Sequence, residues 1–323
     1  MRMCGMKANR ISMLKRVSIA AMLLLALAVS GAWATNGPGT VGAEYLTLPL
    51  GSKSIAMGEV QSAAIGEPLG WLSNPATVRC MDGMGFGVFH AEWFMDTNYD
   101  NAAYHHRLNE RFSLAAGFVS LRHPKIMGYK TDGTATGQLD NANYQAIIGM
   151  GYSPIPSFAA GLAIKYFNEK LAESSADGVG FDIGALYTIT KARLSLGIVA
   201  QNVGSAITFE SIKEPLPTTL RGGASHVAEI RNGDAALTLA LDVVKPRYEK
   251  LYLSAGCELM LAKTIGVRIG YNGREYRPGS GLTLGCGAVV NNIDLLRVSV
   301  DYAWTSYGDL GSIHRIALYF TIR

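Results

Sequence analysis

The sequence predicts an all-β fold, a transmembrane antiparallel β-barrel of about 14 strands with an N-terminal plug, or hatch, segment. Three regularities point to it. From residue 84 onward, segments of about 10 residues alternate apolar with polar or small residues, the length a strand needs to cross a bilayer at a tilt. The two faces of these segments are inverted relative to a soluble sandwich. Connections read alternately long (122–142, 168–178, 203–217, 243–250, 272–280, 305–311) and short (109–110, 153–157, 190–192, 228–234, 261–264, 291–294), as in outer-membrane barrels with short periplasmic turns and longer outer loops.

The chain has 323 residues, and its first 34 read as a secretory signal peptide. Arg2, Lys7, Arg10, Lys15 and Arg16 precede an apolar run over 17–29, and Ala32-Trp33-Ala34 fits a cleavage site before Thr35. The apolar run falls short of the roughly 20 residues of a spanning helix. The whole sequence carries 29 Lys+Arg against 25 Asp+Glu. Removing residues 1–34 leaves 24 against 25, so the basicity belongs to the leader and bulk charge gives no argument for a nucleic-acid partner. Export predicts a final location in the outer membrane of a Gram-negative bacterium, with membrane lipid as the first partner. Cys80, Cys257 and Cys286 remain after cleavage. This set is too sparse for a disulfide scaffold.

Residues 35–80 form the plug in this reading. The stretch 44–78 keeps neither strand alternation nor a sustained helical stripe, yet it is apolar, rich in small residues and nearly uncharged. It is too apolar for a free tail and too short for an independent domain, so it must pack inside the barrel built by the rest of the chain. It ends in Asn74-Pro75-Ala76. Pro75 drives Asn74 toward an extended conformation while the Asn side chain serves local backbone groups, turning the chain into the first strand. That role is structural, with direct ligand contact as the alternative.

Residues 81–323 form the barrel. Leu194, Leu196, Ile198 and Ala200 share one face against Ser195, Gly197, Val199 and Gln201. Leu237, Leu239, Leu241 and Val243 repeat the pattern against Ala236, Thr238, Ala240 and Asp242, as do Leu296, Val298, Val300, Tyr302 and Trp304 against Arg297, Ser299, Asp301 and Ala303. A second face of Gly, Ala, Ser and Thr with few charges suits a crowded polar interior rather than bulk water. Aromatics near strand ends (Trp93, Tyr152, Tyr166, Tyr187, Tyr271, Tyr302, Trp304 and Phe320) are expected outside, as interfacial girdles. The inward register collects a polar lumen network of His90, Glu92, His105, Asp182, Asp242, Glu258, Arg268, Arg297, Asp301 and Arg315. His90 and His105 fall diagonal to one another across the first hairpin. No third ligand at a suitable spacing accompanies them, so lumen packing is expected instead of a metal site. Paired charges of this kind hold a plug and fix register, and the same residues could line a path for a polar ligand.

The plug stretch YLTLPLGSKSIAMGEVQSAAIGEPLGWLSNPATV resembles the N-terminal segment of the PorV/PorQ family of outer-membrane proteins and, more distantly, the hatch of FadL-type channels. The resemblance runs through Ala56-Met57-Gly58, a polar stretch near Glu67 and Asn74-Pro75-Ala76. It continues in the segments 132–152, 216–226 and 310–320. Glu59 stands where the family often has a second glycine, and Lys53 and Ser54 where small residues or Arg are common. The resemblance implies a plugged barrel working with type IX secretion components or secreted cargo proteins, with Met57, Gly58, Asn74, Pro75 and Ala76 as the hatch motif. The alternative it implies is a FadL-like channel passing a hydrophobic small molecule by plug rearrangement. No catalytic signature is present: the Gly-containing turns at 37–40 and 51–54 lack Walker spacing, and there is no nucleophile elbow, His-Glu-x-x-His or Cys-x-x-Cys. A non-enzymatic protein without a cofactor is expected.

Overall fold

The computed structural model describes residues 39–209, 211–230, 233–275, 278–293 and 295–322. The leader and its cleavage site, and Arg323, lie outside the described residues. In chain order the strands are β1 (Met84–Trp93), β2 (Thr97–Arg107), β3 (Phe112–Arg122), β4 (Ile126–Tyr129), β5 (Ala135–Leu139), β6 (Asn141–Ile155), β7 (Phe158–Leu171), β8 (Ser174–Ile189) and β9 (Leu194–Gly204). They continue as β10 (Ile207–Phe209), β11 (Ile212–Glu214), β12 (Thr219–Ile230), β13 (Ala235–Pro246), β14 (Tyr252–Leu261), β15 (Ile265–Asn272), β16 (Leu282–Ile293), β17 (Leu296–Ser306) and β18 (Ser312–Ile322).

Fourteen of these close into one antiparallel barrel, each beside its chain neighbour, with β1 sealed against β18 from Met84↔Ile322 to Ala91↔Arg315. Closure leaves no unpaired edge, the condition a sheet must meet in hydrocarbon. The remaining strands form two hairpins, β4–β5 and β10–β11, in the connections after β3 and β9. These mark a loop-rich rim. The opposite rim has short turns such as 108–111, 156–157 and 262–264.

The strand period of two sorts the side chains. Ile148, Ile164, Leu239, Leu241, Val267, Ile269 and Ile316 stand exposed on the outer wall, while Gly, Ala, Ser and charged residues turn inward. An apolar outside around a polar inside is the arrangement of an outer-membrane barrel.

Three expectations change. His90 and Glu92 point outward with Phe86 and Val88, and Gly85, Gly87, Phe89 and Ala91 take the inner face of β1. Toward the loop-rich rim the outward positions of β1 become polar, so polarity no longer marks the lumen there. Trp93 shares the inward parity: its ring meets Tyr99, Tyr307 and Phe94 edge-on, and the Arg315 guanidinium lies 5.0 Å from its centroid. The stretch 168–178 is not a long loop, because β7 and β8 extend through it and stay paired from Phe158↔Tyr187 to Leu171↔Ser174.

Candidate functional site

Residues 43–81 fill the lumen. Ile55, Leu69, Trp71, Ala76 and Val78 are at most 1% exposed, and full burial of a large apolar side chain contributes about 1.5–3 kcal/mol. The segment runs from the loop-rich rim, where Ala43 N donates to Glu169 (3.1 Å) and Tyr45 Oη to the Tyr144 carbonyl (3.0 Å). It leaves at the short-turn rim, where Arg79 donates to the Glu110 carbonyl. Only short local structure forms on the way: a 3-10 turn at Glu44–Thr47, a helix at Ser52–Ala56, and 3-10 turns at Gly70–Leu72 and Pro75–Cys80. The glycines and prolines between them prevent anything longer.

Asn74 sits at the junction. It is extended (φ −131°, ψ 103°) ahead of Pro75, and its Oδ1 caps the last turn by accepting from Ala76 N at 3.1 Å. Its Nδ2 donates to the Ser62 carbonyl at 2.6 Å, tying two passes of the plug together. Met57-Gly58 makes the other turn. Gly58 and Glu59 both adopt positive φ, 75° and 65°, and Gly58 N donates to Thr283 Oγ1 (2.9 Å), which donates in turn to the Ala56 carbonyl (3.0 Å).

Wall and plug meet through polar groups. Asp242 Oδ2 accepts from Gln61 N, Ser62 N and Ser62 Oγ at 2.8, 3.0 and 2.8 Å. Asn272 donates to Glu59 Oε2 at 2.9 Å, and Gln201 to the Ser73 carbonyl at 2.9 Å. Lys53 pairs with Glu258 at 2.8 Å, and Arg268 bridges Glu258 (2.7 Å) to Asp301 (2.5 Å). Asp182 pairs with Lys165 at 2.6 Å and accepts from Asn202 N at 2.8 Å. Arg315 donates to Thr305 at 2.8 Å.

The structure thus brings Asp182, Asp242, Glu258, Arg268, Asp301 and Arg315 into the buried interior. Arg297 and His105 line a cavity of about 100 Å³ shared with Cys80 and Asp301. His90 and Glu92 are not lumen residues. His90 Nδ1 lies 2.7 Å from Asp100, which accepts from Arg122 at 3.0 Å. Its strand partner is Asp100, while His105 pairs with Gly85, so the diagonal His90–His105 relation does not form. Among the described residues no group of three metal-binding side chains is present.

The polar half of the contact set, Lys53, Glu59, Gln61, Ser62, Lys165, Gln201 and Asn272, was not singled out from the sequence as site residues. One signal was available for Lys53 and Glu59: both depart from the resembled pattern, and both are the plug's own charged partners for the wall.

Beside the plug lies a cavity of about 360 Å³. Met57, Val60, Ala64 and Ile65, with Lys53 and Ser54, line its plug side, and Ser195, Ser225, Thr238 and Ala240 its wall side. Thr188, Thr190 and Arg193 place its mouth at the short-turn rim. Glu67 lines it at 1% exposure, with both carboxylate oxygens sealed from solvent. Burial pushes its carboxyl up to about 7, against the smaller opposing effects of the Ser54 amide, Lys53 and Arg268.

No protein-family model matches the sequence, and no curated protein matches it. Solved structures do. The Pseudomonas putida toluene transporter TodX superposes with a TM-score of 0.54 at 14% identity, covering 84% of this chain and 97% of that one. The fold is that of the FadL-type outer-membrane barrels. The Ralstonia pickettii toluene transporter TbuX gives 0.55 at 13% identity over 84% and 97% of the two chains, and a Pseudomonas aeruginosa FadL homologue 0.50 at 10% over 84% and 97%. In this barrel the wall strands β1, β2, β3 and β6 pair without register shifts. Irregularities fall at Tyr152/Ile155, Phe181/Ile183 and Val290/Ile293.

Proposed function

We propose that this barrel is a channel for hydrophobic small molecules, with the plug as its gate. The observation that carries the reading is the cavity between plug and wall. Its volume is of the size that binds small organic ligands, Met57, Val60, Ala64 and Ile65 give it an apolar stripe on the plug side, and it reaches the short-turn rim. Structural likeness to toluene transporters supports the same class of permeant. The plug obstructs a straight aqueous path, which suits a molecule that partitions into membrane rather than a hydrophilic solute.

The finer reading, a PorV/PorQ-type scaffold working with type IX secretion components or cargo, rests on the sequence resemblance of the plug and of the segments 132–152, 216–226 and 310–320. The channel reading leads because a geometry supports it. Purified barrel in liposomes separates the two. A channel accelerates accumulation of toluene over protein-free vesicles, and carbodiimide coupling of Lys53 to Glu258, which touch at 2.8 Å, slows it by holding the plug. Uptake no faster than in empty vesicles, together with co-purification of secretion components from the native membrane, rejects the channel.

A further inference from the structure

We propose that a groove on the outer wall, across β18, β1, β2 and β3, holds one phosphorylated glycolipid of the outer leaflet, with its acyl chain along Val88 and Ala102 and a phosphate on Arg122. The inference rests on the outer-membrane fold and stands apart from the channel reading.

The groove has a volume of about 800 Å³ and two chemical levels, set by neighbouring rungs of the sheet. Leu318, Val88, Ala102 and Phe118 are cross-strand partners in the lower rung. Ala102 presents only a methyl group between two larger neighbours, so the wall is recessed there. Ile316, His90, Asp100, Ser120 and Tyr144 are partners in the next rung toward the loop-rich rim. Phe118 and Tyr144 stack with ring centroids 6.1 Å apart and close one side.

The height of the polar rung needs an explanation. Counted from the short-turn rim, the lipid-facing positions of β14 are Leu261, Leu259, Cys257, Ala255 and Leu253, five in succession without a charge. On β1 they are Met84, Phe86 and Val88 before His90 interrupts. Two residues along a tilted strand climb about 5 Å, so the polar boundary lies about 10 Å lower on this face. Hydrocarbon at the level it reaches beside β14 would bear on His90 and Asp100, which is unfavourable on a lipid face. A lipid whose headgroup descends into the groove removes that conflict.

Charge selects the headgroup. Asp100 accepts from Arg122 at 3.0 Å, and His90 Nδ1 lies 2.7 Å from its other oxygen. A guanidinium has five N–H donors. Arg122, with its side chain 57% exposed, can therefore hold Asp100 and still receive a phosphate oxygen. The connection that follows it adds exposed Lys125 and Lys130 at the same rim. Glu92, the next outward residue of β1, and Asp100 offer acceptors to hydroxyl groups. A plain anionic headgroup answers only the cations. A phosphorylated sugar answers the cations with phosphate and the acids with its hydroxyls.

The test adds lipid A to the purified, delipidated barrel in detergent and follows retention by native mass spectrometry. Wild type is expected to retain one lipid A, about tenfold more tightly than phosphatidylglycerol, the effect of one added hydrogen bond to a charged group. Removing both phosphates from lipid A is expected to weaken retention about tenfold, as is Arg122→Gln, which keeps a donor for Asp100 but no charge. Ala102→Trp, which fills the recess, is expected to abolish retention while heat-modifiable migration persists. Arg247→Ala, in the connection between β13 and β14, is expected to change nothing. Unchanged retention in Arg122→Gln or in Ala102→Trp overturns the inference, as does equal or tighter retention of phosphatidylglycerol. A loss in Arg247→Ala as large as that in Arg122→Gln would reduce the binding to general attraction at the rim and overturns the groove. A dimer free of lipid A that Ala102→Trp dissociates would assign the groove to a second copy of the chain and overturns the glycolipid.

Discussion

One oxygen of Asp242, on the barrel wall, accepts both the amide and the hydroxyl of Ser62 in the plug, at 3.0 and 2.8 Å. Gln61 N donates to the same oxygen at 2.8 Å, and Asp242 is fully buried. This carboxylate holds the plug where β13 passes it. Asp242→Ala leaves three donors unpaired and is expected to cost about 3–5 kcal/mol. Asp242→Asn, which keeps an acceptor, is expected to cost about 1–2 kcal/mol. Chemical unfolding in detergent gives the ranking, and single-channel recording should show more frequent openings in the alanine variant. Equal stability of all three proteins would remove Asp242 from the latch.

The wall comes close enough to the plug at its glycines to exclude a methyl group. A Cβ at Gly197 would lie 1.9 Å from the Ser62 carbonyl oxygen, and one at Gly161 would lie 2.2 Å from Ala76 N. Both obstacles are backbone, so the plug rather than a rotamer must give way. Gly197→Ala and Gly161→Ala are each expected to cost about 1–3 kcal/mol. Hydrogen exchange should rise locally, over 61–63 in the first and 74–77 in the second, with heat-modifiable migration retained. Gly222→Ala is the control, since the nearest atom to its Cβ is 4.0 Å away. A plug equally protected in all three would mean that it does not rest on these glycines.

The wall was far more legible in the sequence than the contacts made across the lumen. Leu237, Leu239 and Leu241 against Thr238, Ala240 and Asp242 state their faces by period alone, because lipid and lumen make opposite demands at every second residue. The same rule misplaced His90 and Glu92, where β1 approaches the loop-rich rim and its outer face turns polar. Asn74 was legible because Pro75 constrains it locally. Glu59–Asn272 and Ser62–Asp242 were not: they join residues about two hundred positions apart, and no local pattern selects a partner at that range. The extensions of β7 and β8 were missed because Asn168, Glu169, Ser174 and Ser175 read as turn residues. Pairing across the hairpin overrides that local preference.

Asn74 separates capping from bracing. Its Oδ1 accepts from Ala76 N, and its Nδ2 donates to the Ser62 carbonyl. Asn74→Asp preserves the cap, so a residue that only capped the turn would tolerate it. The brace predicts otherwise, since the new carboxylate would face the Ser62 carbonyl oxygen with no hydrogen to give. Asn74→Asp and Asn74→Ala are both expected to lower stability by about 1–3 kcal/mol. Unfolding midpoints of the two variants read this directly, and a wild-type midpoint for Asn74→Asp would reduce the residue to a cap.

Glu67 sets a pH dependence with a defined sign. Its carboxyl titrates near pH 7 in the folded protein, raised by burial from an ordinary value of 4.5. The folded state therefore binds this proton more tightly than the unfolded chain. The associated stability is fully present below pH 4.5 and is lost as pH rises through 7. At about 1.4 kcal/mol for each pH unit of the shift, the change between pH 5 and pH 8 is on the order of 2–3 kcal/mol. Lys53, Arg268, Asp301 and Tyr319 act on the same carboxyl, so the comparison must hold them fixed. Glu67→Gln does so. Subtracting its urea-unfolding free energy from that of wild type at each pH isolates the carboxyl, and the glutamine variant is expected to be the more stable protein at pH 8. Parallel curves for the two proteins would mean that Glu67 keeps its charge across this range, held by a donor that reaches it in solution.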